Sequence, residues 1–427
     1  MGEPFRGRTV LAISHVYPPD PASLGQHMSD AARALAHRGH SVTVFTANRG
    51  YADSTQRYRS RESSGGVQVR RLPLSSFGKG SIFARLAGGL GFVAQVLVRG
   101  ALMRGVDTIL VSTSPPMAGL AGVALARIKR TRLVYWVMDV NPDQAVALGV
   151  VAKGGLVARG YDWMNRVVLR HAADIVVMDR FMERRILGKL DVPDRVHVVE
   201  PWPHEDFIRP QSRSTNEFRR AHGLEGKFVV MYSGNHALTS PLRTIIEAAI
   251  ELQNDPRFVF VFVGGGTGKR EVEAARTRNI VSLPYQPLET LSESLGAADL
   301  HVVTMRDDMV GIVHPCKVYG ALAAARPVLF VGPAVCHVTD LMEGGSVGWH
   351  VAHGDIAGAV AAIRGAASLP EHEWGAMSQN ARSVIDIQFS KGRLCSAFCD
   401  IVAGAETRPL PLNDSAPDLT LSAQNDD

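Results

Sequence analysis

Short apolar runs alternate with amphipathic stretches of helical length along nearly the whole chain, and no other feature restricts the fold as much. Val10–Ser14 reads as a strand, Gly25–His37 as a helix and Ser41–Thr46 as a second strand, with Arg38-Gly39-His40 as the turn between them. The spacing continues with strands at Gln68–Leu72, Thr108–Ser112, Leu133–Met138, Ile175–Met178 and Val196–Val199. Helices are expected near Ile82–Met103, Met117–Ile128 and Leu156–His171. Strands that are apolar throughout and separated by helices imply a parallel sheet covered on both faces.

A break at Glu200–Arg213, EPWPHEDFIRPQSR, is rich in proline and charge and reads as a linker. The alternation then restarts, with strands at Phe228–Tyr232, Phe258–Val263, Ile280–Leu283, Leu300–Thr304 and Pro327–Val331. Helices are expected at Pro241–Leu252, Arg270–Arg276, Glu289–Ala297, Lys317–Ala325 and Ile356–Ala367, followed by a helical stretch, Glu373–Val402, broken around Phe389. A chain of 427 residues exceeds one ordinary core and suits two. The expected fold class is α/β, two doubly wound Rossmann-like domains over residues 1–205 and 206–385. Residues 386–405 form a helix packing back on the first domain, and 406–427 have the proline-rich, polar composition of a disordered tail. In such sheets ligands bind beyond the carboxyl ends of the strands, here in the cleft between the domains.

The formal net charge is +5, and the last acids, Asp414, Asp418, Asp426 and Asp427, lie beyond the last arginine. The body is therefore more basic than the whole and favours anionic partners such as nucleotide diphosphates, lipid phosphates or an anionic membrane surface. Nucleic acid is disfavoured, because the basic residues are scattered and not interleaved with aromatics. Cys316, Cys336, Cys395 and Cys399 fit neither a disulfide framework nor a zinc pattern, and a reducing cytoplasm suits them. The amino terminus lacks the apolar core of a signal peptide. No apolar run reaches membrane-spanning length. The nearest, Leu86–Val98, is uncharged and flanked by Lys79, Arg85, Arg99 and Arg104; it suits either a packing helix or one lying in a membrane interface.

Two nucleotide motifs are absent. A dinucleotide site needs G-x-G-x-x-G after the first strand, where the chain instead reads HVYPPDPASLGQH. The run Gly264-Gly265-Gly266-Thr267-Gly268-Lys269 lacks P-loop spacing and reads first as a tight turn. The stretch His314–Pro333, HPCKVYGALAAARPVLFVGP, places Lys317 at a helix start, where unpaired N–H groups and a lysine suit a phosphate or diphosphate. The alternative is a packed helix with a solvated lysine.

The loop and helix His15–Arg38, followed by Arg38-Gly39-His40-Ser41-Val42-Thr43-Val44, resembles the amino-terminal signature of family 4 glycosyltransferases of the GT-B fold. Met231-Tyr232-Ser233-Gly234-Asn235, Phe260–Gly266, Ala297–Leu300 and Pro315–Gly320 extend the resemblance over about residues 9 to 400. The form His-Pro-Cys-Lys-Val-Tyr-Gly is similar to the colanic-acid and O-antigen fucosamine-type transferases. The resemblance implies a retaining transfer from a nucleotide-sugar donor to a glycan, often lipid-linked, on the cytoplasmic face of a membrane; no His/Asp cluster has metal-ligand spacing and no D-x-D triplet ends a strand, so a metal-independent mechanism is expected. It implies no cofactor. GT-B epimerases, GT-B phosphorylases and a non-catalytic binding subunit are the alternatives.

Family members usually place an Arg and a Lys on the donor diphosphate, at positions that here are Asn235 and about Ser240, and two glutamates at positions that here are Ile312 and Gly320. All four depart from the pattern. The resemblance therefore leaves Lys317 as the cation, aided by His236, His314 and backbone near Gly234 and Gly311, with Gly25 allowing close approach of backbone to the phosphates. The base falls to backbone near Tyr285 and Gln286. On the acceptor side, Asp139 follows a strand near the family's acceptor histidine, and either orients the hydroxyl or caps the next turn. Asp143 is a helix-start charge or a second acceptor-side carboxylate. His15 either touches ligand or packs. Trp136, Trp163 and Trp202 read as packing residues.

Overall fold

The computed structural model describes residues 7–20, 22–50, 55–75, 82–204 and 206–405, with the side chains of 82–86 left aside. Lys79 and the expected tail 406–427 lie outside the described residues. The first half runs β1 (Thr9–Ile13), α1 (Ser23–His37), β2 (Ser41–Ala47), β3 (Arg61–Ser64), β4 (Val67–Leu72), α2 (Ile82–Leu102), β5 (Thr108–Ser112), α3 (Ala118–Lys129), β6 (Arg132–Trp136), α4 (Asp143–Ala147), α5 (Leu156–His171), β7 (Asp174–Val177), α6 (Arg180–Lys189) and β8 (Val196–Val198). The second runs α7 (Glu217–Ala221), β9 (Phe228–Ser233), α8 (Arg243–Glu251), β10 (Phe258–Val263), α9 (Lys269–Ala274), β11 (Ile280–Leu283), α10 (Leu291–Gly296), β12 (Leu300–Thr304), α11 (Lys317–Ala323), β13 (Val328–Val331), α12 (His337–Glu343), β14 (Gly348–Val351), α13 (Ile356–Ser368), α14 (Glu371–Gln388) and α15 (Lys391–Ala403).

Two sheets result, in the orders β3-β4-β2-β1-β5-β6-β7-β8 and β11-β10-β9-β12-β13-β14. Every pairing is parallel except β3 with β4. The apolar strand centres explain this, since Val10–Ile13 and Phe260–Val263 are enclosed on both faces by helices. Strand order reverses between β1 and β5 and again between β9 and β12, and these two crevices face the sites discussed below. The sequence pattern misses β3, whose residues Arg61-Glu62-Ser63-Ser64 are polar and mostly exposed. It also misses α6, α12 and the short β14.

The expected linker is not a free tether. Trp202 within it is 1% exposed, stacks on Trp136 with ring centroids 6.0 Å apart, and donates from Nε1 to Asp30 at 3.1 Å. His27 of α1, which is fully enclosed, lies 2.9 Å through Nε2 from the Trp202 carbonyl. The helical break expected near Phe389 is present between α14 and α15. α15 then crosses to the first sheet's side, where Phe398 packs 4.2 Å from Trp136 and Arg38 bonds Asp400 at 2.8 Å. Hydrophobic burial at these aromatics, about 1.5 to 3 kcal/mol for each large side chain, ties the last helix to the first strands.

Candidate active site

At the carboxyl end of β9 the chain turns through Gly234 with φ +130°, and at the end of β10 through Gly264 with φ +130° and Gly266 with φ +128°. These two turns lie against each other. A Cβ on Gly264 would sit 2.0 Å from the Gly234 carbonyl oxygen, and one on Gly266 would sit 2.4 Å from Asn235 Oδ1, so side chains are excluded. Lys269 Nζ straps the second turn by donating to the carbonyls of Gly264 at 2.9 Å and Leu283 at 3.0 Å. The glycine run is thus a braced turn, as its spacing suggested.

Lys317 begins α11 beyond the β9/β12 reversal. Its stem passes Gly234, with Cε 2.8 Å from where a Cβ would be, and its ammonium lies 5.3 Å from the Tyr232 ring centroid. No carboxylate pairs with it among the described residues. The helix contributes less than its start suggested. α11 ends at Ala323, two residues early, and the N–H groups of Cys316, Val318 and Tyr319 already donate to the carbonyls of His314, Pro315 and Cys316. Attraction of an anion there rests on the lysine charge more than on a helix dipole.

Two expected helpers point elsewhere. His314 is enclosed: Nδ1 donates to Asp179 Oδ2 at 2.7 Å and Nε2 meets the Tyr319 hydroxyl at 2.9 Å, leaving no ring nitrogen for a phosphate. His236 lies beneath the turn, with Nδ1 3.3 Å from the Gly265 carbonyl and Nε2 shut away without a partner. Burial, with Lys269 and Lys317 nearby, holds its imidazole below the usual range, so it is neutral at neutral pH. Gly311, with φ +68°, serves the domain contact, since a Cβ there would lie 2.5 Å from the Phe181 carbonyl oxygen. Gly25 likewise serves packing, as its missing Cβ makes room for the backbone of Val16 and Tyr17.

Tyr285 at the end of β11 leans on the glycine turn, its ring 3.2 Å from the Cβ position of Gly265, and remains 51% exposed. Gln286 beside it donates to the Pro284 carbonyl at 3.0 Å. Exposed Asn235 and Tyr285 and half-buried Gly234 and Lys317 therefore line one rim at the carboxyl ends of β9, β10 and β11.

Across the cleft, Asp139 follows β6. Its backbone N–H faces Thr113 Oγ1 at 3.4 Å, and its carboxylate caps no helix, since Pro142 precedes α4. Burial pushes this carboxyl up to about 6, and burial first, with the Asp139 charge adding to it, raises the thiol of Cys316, the neighbour of Lys317. The next residue, Val140, donates from its N–H to the Ile312 carbonyl at 2.9 Å, joining the two sides beside the site. Asp143 is spent structurally, paired with Lys189 at 2.6 Å and Arg185 at 3.1 Å. His15 packs instead of facing the cleft, with Nε2 2.8 Å from the Ser75 carbonyl and its ring edge-on to Phe92. Trp163, expected in the core, is 61% exposed. Sequence reading overlooked Asp179, Tyr319 and His337; the one available signal was Asp179 ahead of an amphipathic run, the pattern of a helix cap.

A family model for a glycosyl transferase 4-like domain matches residues 24–202, and one for glycosyl transferases group 1 matches residues 227–368. This chain belongs to those glycosyltransferase families. The glycosyltransferase is 25% identical over 379 residues to the Escherichia coli (strain K12) protein named as colanic acid biosynthesis glycosyl transferase WcaI, covering 85% of this chain and 93% of that one. Among solved structures, sucrose-phosphate synthase from Thermosynechococcus elongatus superposes with TM-score 0.74 at 16% identity, over 92% of this chain and 98% of that one. HepE of Anabaena, solved with UDP and glucose, superposes with TM-score 0.69 at 15% identity, over 93% and 100%. The last two likenesses concern the fold, which is GT-B.

Proposed function

We propose that the protein transfers a glycosyl group from a nucleoside diphosphate sugar to the hydroxyl of a growing, lipid-carried glycan in bacterial surface polysaccharide synthesis. The observation that carries this reading is that Val140, the residue after Asp139, donates to the Ile312 carbonyl at 2.9 Å, which sets that carboxyl group beside the loop leading to an uncommitted cation, Lys317. As the glycosidic bond breaks, negative charge grows on the departing diphosphate, and Lys317 is placed to offset it. Asp139, ionised above about pH 6, orients the acceptor hydroxyl and takes its proton. Retention of configuration enters the proposal from the family resemblance, with the diphosphate departing and the hydroxyl attacking on one face of the sugar.

Tyr285 gives the base an aromatic shelf, and the turn at Gly234 gives the phosphates close backbone. The colanic acid synthesis for which WcaI is named and the UDP held by HepE support the polysaccharide and nucleotide parts of the reading. We place the enzyme at the cytoplasmic membrane face as a peripheral protein; among the described residues no helix is long and apolar enough to cross a membrane. The reaction proposed needs no metal, since Lys317 supplies the countercharge. Asn235 and Ser240 in place of the usual cations favour one other reading, a non-catalytic subunit that binds glycan.

A melting-shift panel of UDP-, GDP- and dTDP-sugars, without added metal, separates them. A donor at a hundred times its dissociation constant stabilises the fold by about 2.7 kcal/mol. A shift from one donor supports the enzyme; no shift from any, in a protein that melts cooperatively, supports the subunit.

A further inference from the structure

Three adjacent helices on one side of the first sheet carry half of the large apolar side chains that the described surface leaves in water. α3 sits between α2 and α5, with Gly100 of α2 close against Leu125 and Gly119 of α3 close against Val168. Leu90, Val98 and Leu102 of α2, Ile128 of α3, and Leu156 and Trp163 of α5 are all more than half exposed. Leu156, Gly160 and Trp163 fall on one stripe of α5, and Leu90, Ala94 and Val98 on one stripe of α2. An apolar area of this extent on a soluble domain marks a contact surface.

Its charge names the partner. Residues 87–171 contain ten Lys or Arg, of which Arg132 and Arg166 are paired with carboxylates, and four Asp. Of those acids, Asp143 and Asp162 are bonded to cations, Asp139 lies in the cleft, and Asp107 accepts the Thr9 N–H at 2.8 Å. Lys153 and Arg159, flanking Leu156, have no carboxylate partner among the described residues. Helices joining parallel strands run opposite to them, so the first turn of α5 lies at the sheet edge where β6 delivers Asp139. We propose that the α2–α3–α5 face, led by Leu156 and Trp163, docks on an anionic lipid bilayer and brings the Asp139 side of the cleft to a lipid-borne acceptor. The apolar stripes enter the headgroup boundary while Lys153 and Arg159 meet lipid phosphates. This relocates the expected membrane contact from α2 alone to the whole layer, and it deepens the lipid-carried acceptor reading. Vesicle binding and nucleotide binding are separate measurements, so either can fail alone.

The test is co-sedimentation of the full chain with vesicles of phosphatidylethanolamine and phosphatidylglycerol, and with phosphatidylcholine vesicles, alongside tryptophan emission. The wild type should sediment with the anionic vesicles, lose binding at high salt, and shift its emission to the blue. Leu156→Ser combined with Trp163→Ser, and separately Arg159→Glu, should each weaken partitioning ten-fold or more without moving the melting temperature. Failure of the wild type to sediment at low salt, or unchanged sedimentation of both variants, would overturn the proposal. So would a solution dimer that Leu156→Ser with Trp163→Ser dissociates, since the face would then cover a second copy.

Discussion

His314 Nδ1 donates to Asp179 Oδ2 at 2.7 Å, joining the loop that leads to Lys317 with the start of α6 on the first sheet. Asp179 Oδ1 also accepts from the N–H groups of Phe181 and Met182, and the Tyr319 hydroxyl bridges His314 to His337 Nε2 at 2.8 Å. A buried chain of four side chains thus spans the two units. Arg180 and Asp340 reinforce it at the surface, with N–O distances of 2.6 and 2.7 Å.

Asp179→Ala strips a cap and leaves the His314 N–H without an acceptor, and should lower stability by about 3 kcal/mol in denaturant titration. Burial alone would raise the Asp179 carboxyl, but the His314 bond and nearby charges hold it below the usual carboxylate range. The stability it contributes is therefore present above about pH 4 and fades as the pH falls through its lowered value. The variant should lose that part of the acid sensitivity.

Asp139 carries the opposite sign. Its folded pKa of about 6 lies above the unfolded value, so its ionisation costs stability from about pH 4 upward and fully above about pH 6. Asp139→Asn should melt higher at neutral pH, by about 2 kcal/mol, while transfer falls a hundred-fold or more. The wild-type rate should drop as the pH falls through about 6, and the variant's residual rate should lack that limb.

Gly264→Ala would drive a methyl into the Gly234 carbonyl at 2.0 Å and force an unfavourable φ. A loss of more than about 2 kcal/mol is expected, read as a lower melting temperature. Gly188→Ala, with open space and helical backbone, should be neutral or slightly stabilising and serves as the control.

Most strands were readable because Phe258–Val263 or Thr108–Ser112 are apolar through their whole length, which only a doubly covered parallel sheet explains. The places of Lys317 at the start of α11 and Asp139 beyond β6 were readable because each adjoins a strand or helix end. The interdomain chain was not, since Asp179 and His314 are 135 positions apart and meet only when both units are folded. β3 escaped because its polar residues pair as an edge strand, where no burial imprints a pattern. Gly25, Gly311 and His314 looked like ligand contacts because close packing demands small or hydrogen-bonding residues as phosphate binding does.

The most direct test is titration of the wild type and Lys317→Ala with the nucleoside diphosphate chosen by the donor panel and with its parent nucleoside. The account expects the diphosphate to bind the variant ten-fold or more weakly, a charge-assisted contact of roughly 1.5 to 3 kcal/mol, with nucleoside affinity unchanged. Equal diphosphate affinity in both proteins would contradict it.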